Sequence, residues 1–239
     1  MRGHLSNFDR AARGLTLMEL MVGLVITSVA MLALSTFVSA VSNGWTHANS
    51  TATTAVTVDR TSSQVDSVLR NSLAIVQKKL PTSSSKSSYL FVWRYDGAGG
   101  IQDGVAAVGE MNLLEFDPTT YTIWLYAPYA ESAMSASQLI DAYTTNWGDL
   151  SSPTVAEAFK TRSCVAPRRA IVGPGSATAT TVSRVLSGYF DCRTNSGGST
   201  VALYNFSLVP GNATTPASSL YGGITTRNPL WPTNATTVP

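Results

Sequence analysis

The sequence predicts an α+β protein: a long N-terminal helix with a membrane-length first half, packed through its second half on an antiparallel β-sheet head. Three observations carry that expectation. Residues 15–41 read LTLMELMVGLVITSVAMLALSTFVSAV, with one charge, Glu19. Val58, Val65, Leu69, Leu73, Val76 and Leu80 then recur at the spacing of an amphipathic helix, until Pro81 stops it. After a Ser-rich linker, the pattern changes to short β-branched and aromatic runs bounded by turn residues.

Residues 1–14 form a basic leader, with Arg2, Arg10 and Arg13 against Asp9 alone. Without them, 13 basic residues face 13 acidic ones, so nothing in the charge balance calls for nucleic acid as the main partner. The apolar run of 15–41, as a helix, is about 40 Å long and exceeds the ~30 Å hydrocarbon core. Its basic flank precedes it and the next cation is Arg60, so the positive-inside rule keeps the N-terminus cytoplasmic and places the rest outside.

Three arrangements account for such a segment. An ordinary signal peptide would cleave near Val38-Ser39-Ala40, but its apolar region is normally about half as long. A plain uncleaved anchor explains the length and leaves Glu19 without a purpose. The third explains Glu19: an ionised carboxylate in a membrane helix costs a few kcal/mol unless paired, which makes it a functional candidate.

The junction Arg13-Gly14-Leu15-Thr16-Leu17-Met18-Glu19-Leu20 resembles the prepilin processing site of type IV pilins and type II secretion pseudopilins. The resemblance implies cleavage between Gly14 and Leu15 by prepilin peptidase and N-methylation of the new Leu15 amine. Leu15 stands where the family more commonly has Phe, and no Pro interrupts the 40 residues that follow the cut. Cleavage would remove three arginines and create an amine four residues from Glu19. In a low dielectric that amine attracts the carboxylate of a neighbouring subunit strongly and sets an axial register.

Residues 42–80 read as the amphipathic continuation of the helix, although 42–63 is rich in Thr, a poor helix former. The head occupies 82–239, with four to six strands expected: 89–95, a hairpin of 113–116 and 121–126 joined through Asp117-Pro118, then 182–191 and 201–209. Between them, 128–163 reads as an insertion with a short helix over 133–143 and Trp147 as a buried anchor. The tail from Pro210, rich in Pro, Thr, Asn and Gly, is expected to be irregular.

Cys164 and Cys192 are the only cysteines. An even pair in an exported chain reads as one disulfide, with two buried thiols as the alternative. Closing the loop of about 29 residues would stabilise the fold by roughly 3 to 4 kcal/mol. In pilins such a bond commonly pins the distal head.

Little supports an enzyme. His4 and His47 are the only histidines, and neither lies near a cysteine in sequence, so no metal centre is expected. The run Asp96-Gly97-Ala98-Gly99-Gly100 lacks the alternating carboxylates of a calcium loop. Lys160, Arg162, Arg168 and Arg169 form the one local basic cluster, read as a solvated loop, with Arg162, Arg168 and Arg169 as surface contacts if the head captures DNA or another target.

The resemblance therefore implies a structural subunit, a minor pilin or pseudopilin, of a type IV pilus or a secretion pseudopilus. It would need no cofactor. Its partners would be other pilin subunits, prepilin peptidase, the inner-membrane assembly platform and the inner membrane, first as a single-pass precursor and then in a periplasmic or surface filament. The alternatives are a filament-displayed adhesin or DNA-binding module and an exported enzyme on a membrane stalk.

Overall fold

The computed structural model describes residues 16–80, 87–95, 104–144, 155–173, 183–194, 200–209 and 218–225. They fall into two units divided after Asn49. Helix α1, Leu17–Arg70, supplies all of the described first unit except Thr16 and opens the second.

In the first unit every described side chain from Thr16 to Asn49 is exposed, and the segment is long and apolar enough to cross a membrane. Its hydroxyls do not spoil that character, because they bond back to the helix's own carbonyls. Thr27 Oγ1 donates to Gly23 O at 2.8 Å, Ser28 Oγ to Leu24 O at 2.6 Å and Thr36 Oγ1 to Ala33 O at 2.8 Å. A polar group satisfied in this way costs little when water is withdrawn.

The second unit holds the rest of α1 and two antiparallel sheets. Thr54, Thr61, Val65 and Leu69 form the buried stripe of α1, with Val58 packed at its margin. The helix ends ten residues before the expected boundary at 80. Asn71 N donates to Ser67 O at 3.3 Å and Ser72 N to Leu69 O at 3.2 Å, and Leu73 N then turns to Trp93 O at 2.7 Å. Residues 74–79 are therefore a strand. Ile75 and Val76 are β-branched, and alternate positions bury in two different cores, so pairing with the next strand wins over helical spacing.

The five-stranded sheet is a meander of β1 (Ala74–Lys79), β2 (Ser88–Trp93), β3 (Met111–Asp117), β4 (Thr122–Tyr126) and β5 (Arg169–Val172). The β3–β4 turn is built by Asp117, whose Oδ1 accepts from Thr119 N at 2.9 Å and whose Oδ2 accepts from Thr120 Oγ1 at 2.8 Å. Tyr121 leaves the turn at φ 53°. Gly173 packs at that point: a Cβ there, at φ +111°, would run into Thr122 Cα at 2.7 Å.

The second sheet is β6 (Arg184–Thr194), β7 (Thr200–Val209) and β8 (Ser218–Thr225). Strand β8 lies in the tail expected to be irregular. The sheets are tied by Val185 N donating to Tyr121 O at 3.0 Å and Phe190 N donating to Ser88 Oγ at 3.0 Å.

Period-2 alternation divides the side chains of the large sheet between two cores. Leu90, Val92, Leu114, Phe116 and Ile123 join Val65 and Leu69 of α1 and Phe190, Tyr204, Phe206 and Leu220 of the second sheet. On the other face, Phe91, Trp93, Met111, Leu113 and Trp124 are covered by the insertion, through Ala142 of α2 (Ala136–Thr144) and Phe159 of α3 (Val155–Lys160). Phe91 and Phe159 meet edge to face at 5.3 Å.

Candidate functional site

The first turn of α1 carries the charge that the sequence singles out. Thr16 precedes the helix and Glu19 sits in its first turn, where backbone N–H groups lack intrahelical acceptors. Glu19 Oε2 accepts from Thr16 N at 2.9 Å and from Thr16 Oγ1 at 2.9 Å, while Glu19 N donates to Thr16 Oγ1 at 3.2 Å. This reciprocal pair is a capping box. It pins the carboxylate beside the helix start, one residue from Leu15, and both bonds received from Thr16 fall on one of its two oxygens. A carboxylate has lone pairs for several further donors, so the box does not exhaust it. Thr16 escaped the sequence reading as the partner of Glu19, although Thr-x-x-Glu ahead of an apolar run is the signal for it.

Gly14 and Leu15 lie outside the described residues, as do the 96–100 glycine run, Trp147 and His4. His47 is exposed on α1. Among the described residues no group of three or more His, Cys, Asp or Glu is placed to hold a metal ion.

Cys164 and Cys192 are not bonded to each other. The expected disulfide is absent because the pair is split between the two cores, Cys164 behind the face covered by the insertion and Cys192 on β6 facing α1. Burial, with Asp141 nearby, pushes the Cys164 thiol up to about 12 and keeps it protonated.

The basic cluster divides, with Arg168 and Arg169 solvated as expected and Lys160 and Arg162 tied into the fold. Lys160 ends α3 with its ammonium largely buried, 2.7 Å from Glu115 on β3 and 2.9 Å from Glu157. Arg162 Nη1 reaches Asp141 Oδ1 at 3.2 Å. Sequence reading had no means of matching these cations to carboxylates 45 and 21 residues away. Arg168 and Arg169 are exposed, and the Arg168 guanidinium lies 4.1 Å over the Trp124 ring.

A membrane-length helix opened by a capping box, followed by antiparallel sheets, is the α+β layout of a pilin-like protein. Residues 9–35 match the prokaryotic N-terminal methylation motif, the signature of type IV pilins and pseudopilins. No curated protein and no solved structure matches the chain. The motif supports a pilin- or pseudopilin-like substrate of prepilin peptidase, and the proteins for which it is the signature are structural.

Proposed function

We propose that the protein is a minor pilin or pseudopilin, cleaved between Gly14 and Leu15, methylated on the Leu15 amine and drawn from the inner membrane into a filament through α1. The observation that carries this reading is the motif match over 9–35 together with the capping box that holds Glu19 beside the new terminus. The charges are complementary. Processing removes the arginines that keep the leader in the cytoplasm and leaves an amine to neutralise the Glu19 of a neighbouring subunit in a low-dielectric core.

The rest of the apolar segment supports the same reading. Its exposed aliphatic face is unsuited to water and fits lipid first and neighbouring helices afterwards. A head with an insertion, a second sheet and an ordered β8 exceeds what a plain structural repeat needs, which favours a specialised subunit over the bulk one. The N-terminus is cytoplasmic and the head extracytoplasmic in this reading, as the basic leader requires.

Co-expression with prepilin peptidase tests it. Gly14→Ala leaves a precursor larger by the fourteen-residue leader on a denaturing gel, whereas the wild type is trimmed. Equal trimming of both proteins contradicts the reading.

A further inference from the structure

The outer face of the second sheet carries polar and aromatic side chains in ordered rows, and at its β8 edge Ser219 and Tyr221 also border Asp59 and Ser62 of α1. Registered pairing places residues in rows across its three strands. Ser187, Ser207 and Ser219 form one row, Tyr189, Asn205 and Tyr221 the next, and Asp191, Leu203 and Gly223 the third. Their side chains point away from the core, because Phe190, Cys192, Ala202, Tyr204, Phe206, Leu220 and Ile224 occupy the alternate, inward positions.

Two features set this face apart. Tyr221 is 76% exposed, the most exposed large apolar side chain described beyond α1, and Tyr189 on the opposite strand is 41% exposed. Between and below them lies an open depression of about 500 Å³, floored by Leu203 and Asn205 and bordered by Asp191. Gly223 contributes no side chain to the third row, which leaves the depression open beside Tyr221.

The chemistry of these rows is specific. Two aromatic rings stand on either side of an amide, two strand spacings or roughly 10 Å apart at the backbone. That is about the length of a disaccharide. A row of hydroxyls lies on one side. On the other, Asp191 is fixed by Cys192 N, which donates to its Oδ1 at 2.8 Å, and is neutralised by Arg193, whose Nε lies 3.6 Å from its Oδ2. The surface thus pairs exposed tyrosine side chains with uncharged or internally compensated hydrogen-bonding groups. Its described residues lack the contiguous aliphatic area of a protein–protein core and the uncompensated cations of a nucleic-acid or anion site.

The geometry points to a binding site for a neutral glycan. A pyranose has an apolar C–H face and a rim of hydroxyls. The Tyr189 and Tyr221 rings offer stacking surfaces for the first, and Asn205, Asp191 and the serine row offer donors and acceptors for the second. The orienting polar groups are few and convergent, as in small-molecule sites generally. This site is independent of leader processing, since its groups all lie on β6, β7 and β8.

Full-length protein in a zwitterionic, sugar-free detergent tests the assignment, because sugar-headed detergents would compete for the site. Maltotriose, cellotriose, chitotriose and N-acetyllactosamine are titrated in turn, with saturation-transfer NMR reading contact and isothermal titration calorimetry reading affinity. At least one binds in the millimolar range or tighter. Tyr221→Ala weakens that binding about tenfold, a loss of one aromatic stacking contact. Tyr189→Ala acts likewise, Tyr221→Trp retains binding, and all three melt with the wild type. Silence from all four sugars overturns the inference, as does binding indifferent to both alanine changes. Concentration-dependent self-association abolished by Tyr221→Ala, without sugar binding, overturns it in favour of a contact between copies of this chain.

Discussion

Glu19 has two separable duties. It closes the capping box with Thr16, and it carries a negative charge into an apolar helix. Glutamine at this position can complete a capping box, so Glu19→Gln keeps the helix start while removing the charge. Leader cleavage of this variant should stay normal. Its share in the sheared filament fraction, read by immunoblot, should fall severalfold. Wild-type incorporation of Glu19→Gln would reduce the residue to a helix cap. Tyr204 performs the corresponding task in the head, where its hydroxyl donates to Asp66 Oδ1 at 2.7 Å and lies 3.1 Å from Ser62 Oγ on α1. Tyr204→Phe leaves those groups short of a partner and should cost about 1–2 kcal/mol in urea unfolding followed by tryptophan fluorescence. Burial, together with Asp66, lifts the Tyr204 pKa from 10.0 to about 12. The folded state thus holds this proton more tightly than the unfolded chain, so its contribution is complete below pH 10 and disappears as the pH rises towards 12. Burial raises Tyr89 and Tyr126 as well, so Tyr204→Phe should remove only part of the alkaline loss.

At the scale of elements, the Lys160–Glu115 ion pair adds to the packing of Phe159 in holding α3 on the large sheet. Lys160→Met strands the Glu115 carboxylate beneath it and should destabilise the head by about 3 kcal/mol, while Lys160→Met combined with Glu115→Leu recovers most of that loss. A single variant as stable as the wild type in urea would show that water, not Lys160, solvates Glu115. The elements also show what was legible in the chain. The start of α1 was plain, since each of the three arrangements open to that long apolar run makes it a helix. Strands β2, β3, β4, β6 and β7 were legible from β-branched and aromatic density. The end of α1 was misread because Leu73 and Val76 satisfy a three-to-four spacing and a strand alternation alike, and only pairing with Trp93 settles which is used. Strand β8 was hidden by Ser218, Ser219, Gly222 and Gly223, which disfavour a strand locally. Its Gly222 faces Tyr204 in register, and a Cβ there would strike the Tyr204 ring and hydroxyl. The residue that disguises the strand is the one that lets Tyr204 reach α1.

Over the whole molecule, two cores back to back explain why the cysteines do not pair. A sequence shows that two thiols exist, but not that a sheet separates them. The candidate site was half legible. Glu19 stood out because a lone charge in a membrane-length run is costly, whereas Lys160 and Arg162 looked like surface groups because their carboxylates are distant in sequence. At the other end of the chain, the proposed function requires that a leader be removed to create the terminus that answers Glu19. Intact mass and N-terminal sequencing of the protein extracted from membranes containing prepilin peptidase test it most directly. The expected chain begins at N-methylated Leu15; one beginning at Met1, or at Val41 as an ordinary signal peptide would leave it, rules out that processing.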